Sequence, residues 1–515
     1  MKRNKGLFVP KIFAGLAITT VVAVAGVAVL NLFHRTGEAA VKLMPADAVL
    51  VVSFDNTPSP AQAVLFNRIG DAIKSSGMDR WIDDLLSQWD KGTGVLAELR
   101  SYVQGSFALA VFPSEDMKKP DGLLAVSLSN PGGAENLVRE YMHSEVREGV
   151  RFYWGEERDG YLVFYETYAL LSNKQEVILR ALGVAKGKVL SVYDEASFQT
   201  ARRVLPSDAT LMVFLNGRPL AQGDQEAAKG LQALGIDREG WFALGITLRG
   251  EGIVVDAALP ATERGVARAL REAEALNFKG MARFPAGAVA ILGVSNPARF
   301  FEFVLEVAQE DPRAAADAER GIREMEAKSN MSFEDEWLPA FRGEFVGALY
   351  APAKAGENPH LILGLDNQHQ GKATQFALKF FDKANAGQFD TKDKRPRFTT
   401  EILGEWKIFR PTDQPGAAFA VSDQQVLFVT EASFLREIMQ GGPRGSNLLS
   451  ESNVSQAVQE KPRVHLRLEM NQVLEAMERL GVLPPNVNLK DVFTGEDLYL
   501  TVTAEGQFAR LHLVV

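Results

Sequence analysis

Six histidines are the first residues to ask about in this sequence: His34, His143, His360, His369, His465 and His512. None belongs to an HExxH helix, and no two stand four apart, so no pair is set to share a metal on one helix face. His465 and His512 fall on predicted strands of the same half of the chain, and the sequence allows them to be neighbours across a sheet. Carboxylates cluster at Glu156, Glu157 and Asp159 and again at Glu334, Asp335 and Glu336. A glycosidase needs two carboxylates facing each other across a cleft, whereas runs inside predicted turns are solvated. Gly293-Val294-Ser295-Asn296-Pro297 fails as a nucleophile elbow because its last residue is Pro. Gly183 to Val189, GVAKGKV, approaches a phosphate loop but lacks the Ser or Thr after Lys188. Asp55-Asn56 and Ser295-Asn296 end two strands and are expected to cap the helices that follow. No catalytic, cofactor-binding or metal-ligating residue is assigned, and no cofactor is expected.

Composition excludes more. There is no cysteine among 515 residues, so disulfides, thiolate nucleophiles and Cys-ligated zinc or iron–sulfur sites are out. Lys2, Arg3, Lys5, Lys11 and Arg35 against Glu38 give the first forty residues +4, which leaves −13 for the rest of a chain of net charge −9. An acidic body lacks the basic footprint that nucleic-acid binding requires, and we expect no nucleic-acid partner.

The elements that would position any site begin with the amino terminus. Residues 1–11 form a basic tail, and Ile12 to Phe33 runs without a charge. About 20 apolar residues span a bilayer as a helix. The run exceeds a signal-peptide core, although Ala23, Ala25 and Ala28 offer small residues to a peptidase. The basic flank puts the amino terminus in the cytoplasm. The sequence thus predicts one uncleaved transmembrane anchor at 12–33, a tether at 34–43, and a body outside the cytoplasm.

The body reads as one unit written twice. Gly105 to Asn130, GSFALAVFPSEDMKKPDGLLAVSLSN, reads as two strands and a polar loop, and Gly343 to Asn367, GEFVGALYAPAKAGENPHLILGLDN, repeats it. Met44-Pro45-Ala46-Asp47-Ala48 before strand Val49–Asp55 is answered by Phe284-Pro285-Ala286-Gly287-Ala288 before strand Val289–Ser295. Helices are predicted at Ala61–Ser76 and Met78–Trp89, answered by Pro297–Gln309 and Arg313–Lys328. A short helix from Val95 through Val103 precedes the first hairpin and is answered by Phe333, Trp337 and Phe341. After each hairpin come a helix (Pro131–His143; Gly371–Ala384) and three strands (Arg151–Trp154, Tyr161–Glu166, Tyr168–Ser172; Trp406–Arg410, Ala417–Val421, Val426–Thr430). Two helices follow (Lys174–Leu182 and Glu195–Val204; Ala432–Met439 and Ser452–Gln459). A strand comes next (Thr210–Asn216; Val464–Met470), and a closing hairpin ends each copy (Phe242–Arg249 with Ile253–Leu259; Leu498–Thr503 with Phe508–Val515). Helix Asn471–Leu480 is predicted in the second copy, and Asp390–Arg397 reads as a loop. Short turns between consecutive strands imply antiparallel pairing. The fold class is therefore α+β: a first repeat at 44–260, a connecting helix within 261–283, and a second repeat at 284–515.

The anchor, the Pro45–Asp47 strand start, the signature Gly92–Phe107 (GTGVLAELRSYVQGSF) and its second copy Met331–Phe345 (MSFEDEWLPAFRGEF) together resemble the bacterial envelope family known as domain of unknown function 3352. That resemblance implies a location and an architecture and carries over no mechanism or site residue. The function expected is a non-catalytic binding or scaffolding module of the cell envelope, held to the membrane through residues 12–33, with an envelope protein as partner. The alternatives are a carrier of a lipid or other apolar ligand, and a carboxylate-dependent hydrolase.

Overall fold

The computed structural model describes residues 40–54, 101–113, 120–155, 160–219, 240–249, 252–260, 265–309, 312–351, 359–367, 371–388, 398–412, 414, 416–439, 447–450, 454, 459–469, 497–505 and 508–514. The predicted anchor at 12–33 and tether to residue 39 lie outside the described residues. So do the helices expected at Ala61–Ser76, Met78–Trp89 and Asn471–Leu480, and the loop at 390–397. Among the described residues no helix is long and apolar enough to cross a membrane. The described residues divide into two compact units, one ending at Pro260 and one comprising the rest, apart from a short segment outside the description.

Among the described residues each unit has ten antiparallel strands. In the first unit these are β1 (Leu50–Phe54), β2 (Val103–Phe112), β3 (Asp121–Leu128), β4 (His143–Arg147), β5 (Val150–Trp154), β6 (Tyr161–Tyr165), β7 (Tyr168–Ser172), β8 (Leu211–Asn216), β9 (Trp241–Arg249) and β10 (Gly252–Pro260). Their order across the sheet is β10-β9-β8-β1-β2-β3-β7-β6-β5-β4. The second unit has β11 (Ala290–Val294), β12 (Phe345–Tyr350), β13 (His360–Asp366), β14 (Phe398–Leu403), β15 (Trp406–Pro411), β16 (Ala418–Val421), β17 (Gln425–Val429), β18 (Val464–Glu469), β19 (Asp497–Glu505) and β20 (Phe508–Val514). They are ordered β20-β19-β18-β11-β12-β13-β17-β16-β15-β14. The two orders match strand for strand, so the repeat predicted from turn chemistry is a repeat of topology.

Registers align the copies residue by residue. Phe107 of β2 faces Phe54 of β1, and Phe345 of β12 faces Val294 of β11. The residues before each first strand also do the same thing twice. A 3-10 turn (Ala40–Leu43; Lys279–Arg283) is followed by an isolated bridge from Pro45 to Ser191 and from Pro285 to Asn447.

Helices cover each sheet as the apolar spacing dictates. The first unit carries α1 (Pro131–Tyr141), α2 (Gln175–Ala185) and α3 (Ala196–Val204). The second carries α4 (Gly265–Glu272), α5 (Pro297–Gln309), α6 (Pro312–Ser329), α7 (Lys372–Asn385) and α8 (Ala432–Met439). Ala134 and Val138 of α1 pack on Tyr153 and Leu162, and Ala377 and Phe381 of α7 pack on Phe409 and Val421. The Phe381 and Phe409 rings stack with centroids 4.3 Å apart. Burying one such ring is worth about 1.5–3 kcal/mol. Asn130 caps α1 by accepting the Gly133 N–H at 3.0 Å.

Two expectations are corrected. Val103 does not belong to a helix but opens β2, whose ladder shifts register between Val103 and Phe107. His143 is not the end of α1 but the first residue of β4, an edge strand that pairs with β5. Its counterpart β14 was likewise not expected as a strand. The stretch Phe333–Trp337 winds as a π-turn before a single helical turn at Leu338–Ala340.

Candidate functional site

The second unit carries a row of buried and half-buried polar side chains, and its origin lies in strand alternation. Successive residues of a strand point to opposite faces. On β11 the covered face takes Ile291, Gly293 and then Ser295, which extends the strand: Ser295 donates its backbone N–H to Arg463 at 2.9 Å. On β12 the same face takes Ala348, Val346 and then Glu344, whose carbonyl accepts the Asp366 N–H at 2.8 Å. Asp366 in turn pairs with Gln425. Arg463, Ser295, Glu344, Asp366 and Gln425 therefore form one row across five strands. His465, opposite Gly293, lies one step along the strand direction on the same face.

Over this row lies the segment that enters the second unit. Leu276, Phe278, Met281 and Phe284 are buried within its core. Phe278 sits in the left-handed region, with φ 55°. That turn aims two adjacent backbone N–H groups at the sheet: Glu344 Oε2 accepts from Asn277 at 2.7 Å and from Phe278 at 3.2 Å. The Phe278 ring meets His465 edge-on, with centroids 5.7 Å apart. Gln425 is accommodated because residue 364 is a glycine; a Cβ there would fall 2.7 Å from Gln425 Nε2.

Burial sets the electrostatics. Glu344 is 4% exposed. Desolvation pushes its carboxyl up to about 7, with Asp366 adding to the rise and the two backbone N–H groups and Lys279 opposing it. His465 is 1% exposed, and burial, aided by Arg467, pulls it down to about 4, so its ring is neutral. Burial also lowers the Arg463 guanidinium, against the pull of Glu274. Ser295 Oγ, Glu344 Oε1, Gln425 Nε2, Arg463 Nε and both His465 nitrogens have no hydrogen-bond partner among the described residues.

Ser295, His465 and Glu344 are the residue types of a hydrolytic triad, yet no hydrogen bond joins them among the described residues. The first unit shows what the same positions do without this set. Register places Met212 at the position of His465, Ser127 at that of Asp366 and Tyr168 at that of Gln425.

The residues singled out in the sequence fare differently. His465 and His512 are not neighbours: Thr501 of β19 stands between them, paired to each. His360 begins β13, its ring centroid 5.6 Å from that of Phe434. Glu334, Asp335 and Glu336 serve the π-turn, where Ser332 caps through the Asp335 N–H and Glu336 accepts from Ser332 and pairs with Lys379. The near-phosphate loop at Gly183 is the last turn of α2, closed by Gly187 at φ 67°. Asn296 accepts from Arg299 as a cap, whereas Ser295 does not cap and joins the polar row. His34, Asp55, Asn56, Glu156, Glu157, Asp159 and His369 lie outside the described residues. Among the described residues no group of three or more His, Asp or Glu is placed to hold a metal. The sequence reading missed Glu344, although it stood in the quoted signature where the first copy has Ser106. A charged residue exchanged for a small one at a matched strand position was the available signal.

Fold and site together define a tandem α+β protein whose two units share, among the described residues, one antiparallel strand order. A family model described as "Protein of unknown function (DUF3352)" matches residues 11–488. The chain belongs to that family, as its two signatures implied. No curated protein matches it in sequence. Among solved structures it is similar to crystal form I of TP0453 at 11% identity and a TM-score of 0.26, covering 44% of this chain and 80% of that one. Crystal form IV of the same protein gives 15% identity and a TM-score of 0.24 over 43% and 80%.

Proposed function

We propose that this protein is a binding or scaffolding module of the cell envelope that performs no chemistry of its own, with its body outside the cytoplasm and residues 12–33 as its membrane tether. The observation that carries the non-catalytic part is the covering of Glu344 and His465. The groups whose burial shifts them toward acid–base competence lie beneath Phe278, where a substrate does not reach them. The tether rests on the uncharged run Ile12–Phe33 behind a basic tail. Native mass spectrometry of the full chain in detergent, after crosslinking in intact envelopes, tests this reading. A protein partner at fixed stoichiometry is the expected result. Turnover of a generic ester or glycoside panel that Glu344→Gln abolishes would refute it.

A second reading, carriage of an apolar ligand, is favoured by one observation. Leu292, on the central strand β11, is 37% exposed on the face opposite the polar row. A stoichiometric lipid in the same mass spectrum would select it.

A further inference from the structure

The row Arg463–Ser295–Glu344–Asp366–Gln425 has a mixed hydrogen-bonding demand. Arg463 Nε and Gln425 Nε2 are donors, Glu344 Oε1 in its ionised form is an acceptor, and Ser295 Oγ is both. None of the four has a partner among the described residues, while Ser295, Glu344 and Gln425 are each more than nine-tenths buried. Buried polar groups are costly to leave unpaired, and native proteins satisfy them with protein or ordered water. Neighbouring strands lie about 4.8 Å apart. A water oxygen about 2.8 Å from each of two such atoms bridges neighbouring strands where the side chains themselves make no direct hydrogen bond.

We infer that this row is an internal water site: a short file of ordered water molecules on the covered face of the second unit, bridging Arg463 Nε, Ser295 Oγ, Glu344 Oε1 and Gln425 Nε2. Water suits the mixture because it donates and accepts at one atom. A larger polar molecule does not suit the space, since Phe278 and Phe284 are fully buried above the row. Phe284 Cζ itself lies 3.2 Å from where a Cβ on Gly364 would be. The site belongs to the second copy. In the first, Thr210 at the position of Arg463 spends its hydroxyl on the Ile246 carbonyl at 3.0 Å.

X-ray hydroxyl-radical footprinting of the full chain reads such water directly, because radiolysis of an ordered water oxidises the side chain beside it however deeply buried. Phe278 and Phe284 flank the row, and Phe409, equally buried, sits in an aromatic cluster away from it. Oxidation of Phe278 and Phe284 several-fold above Phe409 is the expected result. Labelling of both as low as that of Phe409 overturns the inference. A high-resolution crystal structure of the full chain gives a second reading on the same protein. Water-sized density within hydrogen-bonding distance of at least two of the four atoms supports the site. Direct pairing of the four side chains with one another, or density for a larger molecule, overturns it.

Discussion

Gly343 lies against the backbone of Asp366 so closely that a Cβ at residue 343 would fall 2.1 Å from the Asp366 carbonyl oxygen. The contact explains the glycine that opens the second hairpin, Gly343–Asn367, and it fixes β12 against β13 where Glu344 enters the polar row. Gly343→Ala forces backbone to move, so a loss of about 1–3 kcal/mol is expected, in the range of overpacked cores. Gly122→Ala is the matched control: nothing lies within 4 Å of its Cβ position, and a change within about 0.5 kcal/mol is expected. Denaturant unfolding of the two variants against the parent decides the point.

Glu344 makes stability fall as pH rises. Its folded carboxyl stands at about 7 against an ordinary 4.5, so the folded state binds the proton more tightly. The stabilisation is fully present below about pH 4.5 and is lost as pH climbs through 7. The span is roughly 3 kcal/mol at about 1.4 kcal/mol per pH unit. Glu344→Gln removes the slope, and urea midpoints measured from pH 4.5 to 8 should show the variant gaining on the parent with rising pH. A difference that is constant with pH would contradict this.

His465 acts in the opposite sense. Its folded value of about 4 lies below the ordinary 6.5, so its contribution is present above pH 6.5 and is lost as pH falls through 4. His465→Met, which installs the residue of the matching position in the first unit, removes that slope. Between about pH 4.5 and 6.5 the two groups oppose each other. The parent should therefore look nearly flat there as far as these two groups go. Each single variant should uncover the slope of the group it leaves in place.

Tyr153 and Phe409 occupy matched positions, counted from the turns that precede β5 and β15. The Tyr153 hydroxyl donates to Glu135 at 2.5 Å and accepts from Arg139 Nε at 3.1 Å. Tyr153→Phe leaves the packing and removes both bonds, at an expected cost of about 1–2 kcal/mol. It also takes one hydrogen bond from Glu135, which keeps Arg139 Nη2 at 2.9 Å; burial raises that carboxyl, and the hydrogen bonds from Tyr153 and Arg139 with the charges of Arg139 and Arg151 together hold it below its ordinary value. The Glu135 titration, followed by carboxyl NMR, should move toward ordinary glutamate.

The strands legible in the sequence were those with one apolar face or two. β1, β8, β11 and β18 show continuous or alternating apolar residues, and the turns between hairpins named themselves with Gly and Pro. The missed strands were β4 and β14, the same edge strand in each copy. Apart from Glu145 in β4 and Phe398 in β14 their residues are exposed, so no period-two pattern exists to read. Their turns were visible only afterwards, through Glu148 and Gly149 at φ 55° and 77° and Gly404 at 59°. The polar row was illegible for another reason. Its members come from five strands, and only the register sets Arg463, Ser295, Glu344, Asp366 and Gln425 side by side.

The account turns on the body lying outside the cytoplasm, and the absence of cysteine makes that directly measurable. A single Thr400→Cys, on the exposed edge strand β14, is reacted with a membrane-impermeant maleimide in cells whose cytoplasmic membrane is intact. Asn4→Cys in the basic tail is the partner experiment. Labelling of Thr400→Cys before lysis and of Asn4→Cys only after it is the predicted result. Protection of Thr400→Cys until the cytoplasmic membrane is broken would place the body inside and contradict the account.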